Sequence, residues 1–309
     1  MRKRLQRVLG ASGVVAAGLL IAACSVVPQW HPSRTDIPEE RVEMPLIMDD
    51  GQPFVSALGK SGEYWIHIDT GTRNVRMLPS GEKELQARSH LVFPTLSGDA
   101  AGMKRWSWTA WRVRELDMGG AKFQDFDTHI VDCGHMFAGS NVPVRIIAGT
   151  SLFRDCLLTI DLPGRRLVIA HGDLPPENGR DILPCRRGKG GSPEIPVEIG
   201  GKKLWAGLDT GAYNAVNLGA DVAAGMAFDG APATRSFMSH FSPNATCTVA
   251  TLSGDVVFGQ YRVHKPMIDI CGRDESAWIC LEILKDYRIT LDQKNRRVRL
   301  ERGAIVGKP

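Results

Sequence analysis

"WIHIDTGTRNVRML" runs from Trp65 to Leu78, and "WAGLDTGAYNAVNL" runs from Trp205 to Leu218. Each places Asp-Thr-Gly after a short apolar run, with Asn three residues past the Gly and Leu four further on. The two tripeptides lie 140 residues apart. A single Asp-Thr-Gly is an ordinary turn, but two in matched settings raise the question of an internal repeat.

The surrounding text repeats as well. Met44–Gly71 lies beside Leu183–Gly211, with Pro45 matching Pro184 and a glycine-containing turn leading each apolar strand into its motif. Gly119 and Gly259 are 140 apart, as are Phe123 and Val263, in hairpin-like stretches. The repeat closes with "TSLFRDCLLTIDLPGRRLVI" (Thr150–Ile169) and "LEILKDYRITLDQKNRRVRL" (Leu281–Leu300). Each predicts one short helix, a strand, an Asp-led turn, two arginines and a last strand. From Asp161 to Asp292 the offset is 131, so the first copy holds nine extra residues, placed most economically around "MFAGSNVPV". The pattern predicts a mostly β, two-lobed fold with pseudo-two-fold symmetry and one short helix per lobe. The first lobe is residues 41–171, the linker 172–181, where Pro, Gly and charge concentrate, and the second lobe 182–303.

The beginning of the chain predicts export. Arg2, Lys3, Arg4 and Arg7 precede an apolar run from Val8 to Ala23, the layout of a signal peptide over residues 1–23. Ile21-Ala22-Ala23-Cys24 resembles the bacterial lipobox, which implies lipidation of Cys24 and a membrane held through that lipid. Ser25 after the Cys points to the outer membrane of a two-membrane envelope, with the protein facing the periplasm. Residues 24–40, with three prolines between Pro28 and Glu40, are expected to be a lipidated tether. Removing residues 1–23 takes four basic residues and no acidic one, so 38 basic residues become 34 and balance the 34 acidic ones. A neutral mature chain gives no electrostatic reason to bind nucleic acid. Six cysteines remain after Cys24, and an even number in an exported chain is consistent with disulfides. Their spacing matches no zinc pattern, so neither a metal nor another cofactor is expected.

The chemistry follows from symmetry. A pseudo-dyad brings Asp69 and Asp209 face to face, and two carboxylates about 3 Å apart repel by several kcal/mol even at an effective dielectric of ~20. They therefore share a proton. One serves as general base on a water; the other, protonated, hydrogen-bonds a substrate carbonyl. These residues resemble the aspartic peptidases of the pepsin and retropepsin group, over nearly all of residues 41–303, and Ile146-Ile147-Ala148-Gly149 followed by Asp161 extends the likeness. The resemblance implies the acid-protease fold in a single chain, a monomeric pseudo-dimer cutting peptide or protein substrates. It implies Asp69 and Asp209 as the catalytic pair, Thr70 and Thr210 interlocked beneath them, and Gly71 and Gly211 completing the turns. Thr72 in one lobe faces Ala212 in the other, and a hydroxyl favours the ionised neighbour, so Asp69 is expected to carry the charge and Asp209 the proton.

Two features depart from the family pattern. Cys280 stands where the first lobe has Gly149, either crowding the site or tied to Cys271 in a disulfide. The flap is expected in "LVFPTLSGDAAGMKRWSW" (Leu91–Trp108), which lacks the family's Tyr; its Trp106 and Trp108 are expected to pack in the core or between lobes. His67, two residues before Asp69 and on the same side of its strand, is expected to be a structurally satisfied histidine, with a supporting contact to the site as the alternative. The alternative to a peptidase is an envelope lipoprotein that uses the same cleft to bind peptides without cutting them.

Overall fold

In the strand Pro193–Ile199 every second side chain is buried, and Arg41–Pro45 alternates in the same way. That period of two, one face on a core and one face outward, sets the architecture. Strands take 56% of the chain and helices 8%, which makes the protein mostly β. The computed structural model describes residues 27–99, 101–188, 190–272 and 275–303. Cys24 and the expected signal peptide lie outside the described residues.

Two large sheets form the lobes. The first, nine-stranded, comprises strands between Arg34 and Ala148; the second, ten-stranded, comprises strands between Arg186 and Cys280. Their inner wiring is the same. Val144–Ala148 inserts between Gly62–Ile68, to which it is parallel, and Arg76–Met77, to which it is antiparallel. Ala277–Cys280 inserts likewise between Lys202–Asp209 and Val216–Leu218.

A third, six-stranded sheet joins the lobes, with three strands on each side of the pseudo-dyad. Its two central strands, Leu157–Asp161 and Tyr287–Asp292, are antiparallel repeat partners. Thr159 lies opposite its own counterpart Thr290, and their hydroxyls are 2.9 Å apart. Pro45 sits opposite Arg166 as Pro184 sits opposite Arg297, so the repeat seen in the sequence is repeated in strand register. One continuous hydrophobic core runs through both lobes, from Ile66 and Phe153 to Ile289 and Leu300.

Two expectations change. The stretch from Pro28 to Glu40 is not a free spacer along its length. Arg34–Asp36 pairs with Lys122–Gln124, Gln29 exchanges two 2.7 Å hydrogen bonds with Asp127, and the Trp30 ring packs 4.5 Å from His129. The strand Ala121–Ile130 has open backbone groups along that edge, and this segment covers them. Helix content also differs from one per lobe. Thr150–Phe153 is a single 3-10 turn, whereas its counterpart Leu281–Leu284 is α-helical, and Gly81–Leu85 and Ala220–Ala223 add a short helix to each half. Segments of four residues hold one turn at most, where the two hydrogen-bond patterns differ little in energy. Among the described residues no helix is long and apolar enough to cross a membrane.

Candidate active site

Both Asp-Thr-Gly turns meet at the dyad. Asp69 follows the strand Gly62–Ile68, and its backbone N–H donates to the Ala148 carbonyl at 3.2 Å. Asp209 ends Lys202–Asp209 with its Cα opposite that of Cys280. Beneath them the threonines cross over. Thr70 N–H donates to Thr210 Oγ1 and Thr210 N–H to Thr70 Oγ1, each at 3.1 Å. The Thr70 hydroxyl then donates to the Leu208 carbonyl and the Thr210 hydroxyl to the Ile68 carbonyl, each at 2.7 Å. Four buried bonds thus fix one lobe's turn to the other's strand, with every donor and acceptor matched across the dyad.

The glycines explain why the carboxylates can meet. A Cβ on Gly71 would lie 2.3 Å from Asp209 Cγ, and one on Gly211 would lie 2.6 Å from Asp69 Cγ. Each carboxylate therefore rests on the opposite turn, and any side chain there would displace it. Sequence reasoning missed a second symmetric pair. Gln52 Nε2 donates to the Gly211 carbonyl at 3.0 Å, and the Ser192 hydroxyl donates to the Gly71 carbonyl at 2.8 Å. Both side chains are buried and hold the far turn in place. The signal was present: Gly51-Gln52-Pro53 and Gly191-Ser192-Pro193 are 140 residues apart.

The two carboxyls sit in unequal surroundings. Asp69 accepts from Thr72 N–H at 2.9 Å and from the Thr72 hydroxyl at 2.7 Å. Burial pushes the Asp69 pKa up, but His67, His240 and the two Thr72 bonds outweigh it, and the group titrates below the ordinary carboxylate range. Asp209 accepts from Gly211 N–H at 2.9 Å and has no hydroxyl at Ala212 to help it. Burial first, and the neighbouring Asp69 charge second, push it well above the ordinary range. The arrangement holds one anion and one neutral acid side by side, with the difference between Thr72 and Ala212 acting in the expected direction.

Two long hairpins close over this pair. The first consists of Arg88–Gly98 and Lys104–Met118, the second of Phe228–Ser239 and Ser242–Leu252. Their tips touch: Asp99 Oδ2 accepts from the Ser239 hydroxyl at 2.7 Å and from Phe241 N–H at 3.0 Å. Phe241 drops into a small apolar cluster of the first lobe with Phe54, Phe137 and Ile147, and the Arg105 guanidinium stacks over its ring at 4.8 Å. Between these contacts His240 turns inward, its Nε2 3.9 Å from Asp69 Oδ2. Nothing in the sequence repeat singles out His240; only the meeting of the tips brings it to the carboxylates.

Other expectations are corrected here. The first hairpin spans the stretch expected for the flap, but Trp106 and Trp108 are 65% and 55% exposed rather than packed in a core. Their strand becomes buried only from Ala110 onward, because the outer half of the hairpin has no layer against it. His67 is fully buried between Phe54 and Phe137, and neither ring nitrogen has a hydrogen-bond partner among the described residues. That apolar burial holds its pKa down to about 4. The six cysteines are free thiols, all buried, and no Cys271–Cys280 disulfide forms. Cys280 does not crowd the turn either. A Cβ on Gly149 would strike the Arg73 carbonyl oxygen at 2.5 Å, yet Cys280 is accommodated fully buried in an extended backbone conformation.

No family model matches the chain, and no curated protein resembles it in sequence. Among solved structures it is similar to basic 7S globulin from soybean, with a TM-score of 0.48 at 10% identity, over 87% of this chain and 96% of that one.

Proposed function

We propose that this protein is an aspartic endopeptidase of the acid-protease fold, in which Asp69 as general base and protonated Asp209 as general acid add water to a peptide bond. The observation that carries the reading is the pair itself: two buried carboxyls, each resting on the other lobe's glycine turn across a pseudo-dyad, one pushed down and one pushed up in pKa. Ionised Asp69 takes a proton from a water as the water attacks the carbonyl carbon, while Asp209 donates its proton to the carbonyl oxygen. The tetrahedral diol then collapses: the C–N bond breaks, the amine leaves with the proton Asp69 had taken, and Asp209 recovers its proton from the diol hydroxyl that becomes the new carbonyl. An extended peptide would lie beneath the two hairpins, held by main-chain hydrogen bonds. Residues 41–171 and 182–303 act as the two halves of one site, and lipidated Cys24 would keep it at the envelope surface.

A specific observation favours a second reading, that of a peptide-binding lipoprotein without turnover. The tips are tied by Asp99, and His240 occupies the space in front of Asp69. A peptidase has to open and reset that seal at every turnover, whereas a receptor using the same cleft opens it only to admit its peptide. The deciding experiment is digestion of a diverse peptide mixture by the wild-type chain and by Asp69→Asn and Asp209→Asn, from about pH 3 to pH 8. Cleavage by wild type that vanishes in each variant supports the peptidase. A folded wild type that cuts nothing while retaining peptides rejects it.

A further inference from the structure

Beneath the second hairpin lies a buried group that the dyad does not use. Cys247, Asp269 and Cys271 are each no more than 6% exposed, and one ligand atom from each lies within 4.8 Å of the other two. They come from separate places in the chain: Cys247 from Ser242–Leu252, Asp269 from Met267–Ile270, and Cys271 just beyond it. Asp269 Oδ2 is occupied by the Arg235 guanidinium and by the Cys247 thiol. Asp269 Oδ1 is buried and has no hydrogen-bond partner among the described residues. An unpartnered oxygen on a buried carboxylate that sits with two thiols is costly unless something binds it.

The fold itself does not require a carboxylate there. Asp269 pairs with Asn217 as Ile130 pairs with Met77, so the first lobe fills the corresponding place with an apolar side chain. Charge counting supplies the missing partner. Two thiolates and one carboxylate carry three negative charges, and Arg235 returns one positive. A divalent cation makes the cluster neutral.

We propose that Cys247 Sγ, Cys271 Sγ and Asp269 Oδ1 bind a thiophilic divalent cation of the zinc class, with Arg235 on Oδ2 orienting the carboxylate from behind. Metal–sulfur bonds of about 2.3 Å put two tetrahedral sulfur ligands about 3.8 Å apart, so the cluster closes on the ion with shifts of about 1 Å. Binding releases one proton from each thiol to solvent and changes no oxidation state. The fourth position is left for a water. Arg235 stands opposite Cys247 in the hairpin ladder, so the ion clamps both arms of the second hairpin to the strand beneath them. The proposal is independent of the peptidase reading.

The test uses the full chain, reduced and metal-free, titrated with Co(II). One equivalent is expected to bind with a thiolate-to-cobalt charge-transfer band and the visible bands of a four-coordinate site, and Zn(II) is expected to displace it. Cys247→Ser and Cys271→Ser should each weaken binding by at least about tenfold and reduce the charge-transfer intensity. Absence of the band at stoichiometric cobalt, or its persistence when both thiols are replaced, overturns the proposal. So does a purified chain in which Cys247 and Cys271 are disulfide-linked and which binds no cobalt after reduction. If either Ser variant fails to fold by circular dichroism, alkylation of the wild type decides: cobalt should protect both thiols, and unprotected thiols reject the site.

Discussion

Thr72 bonds directly to the carboxyl whose pKa is pushed down, adding to the larger effects of His67 and His240. Its hydroxyl and its N–H both donate to Asp69, whereas Ala212 brings no hydroxyl to Asp209. On the proposed mechanism Asp69 has to be ionised and Asp209 protonated. Cleavage therefore falls as pH drops through the lowered pKa of Asp69, and again as pH rises through the raised pKa of Asp209. Thr72→Val removes one donor to the anion, and a hydrogen bond to a charged group contributes about 1.5–3 kcal/mol. The acid limb of the kcat/KM profile is expected to move up by about one to two pH units, because one unit corresponds to about 1.4 kcal/mol. An unmoved limb would show that the hydroxyl does not tune Asp69. Gly149 and Cys280 make a second residue-scale comparison. Gly149→Ala drives a Cβ into the Arg73 carbonyl and is expected to cost about 3 kcal/mol of stability, whereas Cys280→Ala, a small truncation, costs about 1 kcal/mol. Thermal denaturation of the two variants should separate them clearly. At this scale the meeting of the two turns is legible in the sequence because residue type constrains geometry: Asp, Thr and Gly recur at a 140-residue offset. Gln52 and Ser192 shared that offset but differ chemically, so nothing in the residue names showed that both hold a turn.

The two hairpins were only half legible. Glycines and alternation located the first, but the exposure of Trp106 and Trp108 depends on whether another layer covers the strand, which periodicity cannot report. His240 became a site residue only through the meeting of two tips distant in sequence. Its environment predicts a pH-dependent seal. Burial first, then Arg76, depress its pKa, with His67 and His135 adding to the effect and Asp69 opposing it. A depressed folded pKa means that the closed arrangement is favoured above the pKa of a free imidazole, about 6.5, and loses advantage as pH falls through the interval below it. Each unit of acidification in that interval favours the open hairpin by up to about 1.4 kcal/mol. Hydrogen exchange at residues 238–242 should accelerate between pH 7.5 and pH 4.5 once corrected for intrinsic chemistry. His240→Ala should abolish that dependence. A tip that exchanges equally at both pH values in the wild type would mean His240 does not hold the seal.

The six-stranded sheet decides how the whole molecule behaves. Residues 157–161 pair with 288–292 through a full antiparallel ladder, and the four crossed threonine bonds add a second junction above it. Cutting the connection between Pro175 and Pro176 is therefore expected to leave both halves associated, co-eluting on size exclusion and melting in a single transition. Separation of the fragments would show that the linker, not the sheet, holds the lobes together. The two-lobed plan and the repeat were visible in the sequence because strand alternation and turn residues recur at fixed offsets. Docking of Arg34–Asp36 was not, because an edge strand of three residues carries no periodic signal.

The contact between Asp99 and Ser239 has one more implication. These residues are 140 apart, the offset that relates the two lobes, so each stands at the other's position in the repeat. In an assembly of two identical chains the same residue would meet its own copy on the axis, and two aspartates there would repel. A single chain is free of that constraint. Within one chain each axial position is two independently mutable sites, so donor can be matched to acceptor instead of like to like. Thr72 with Ala212, Gln52 with Ser192, and Ile130 with Asp269 record the same divergence. Covalent connection thus gives more than proximity: it permits a directional centre whose two halves are unlike.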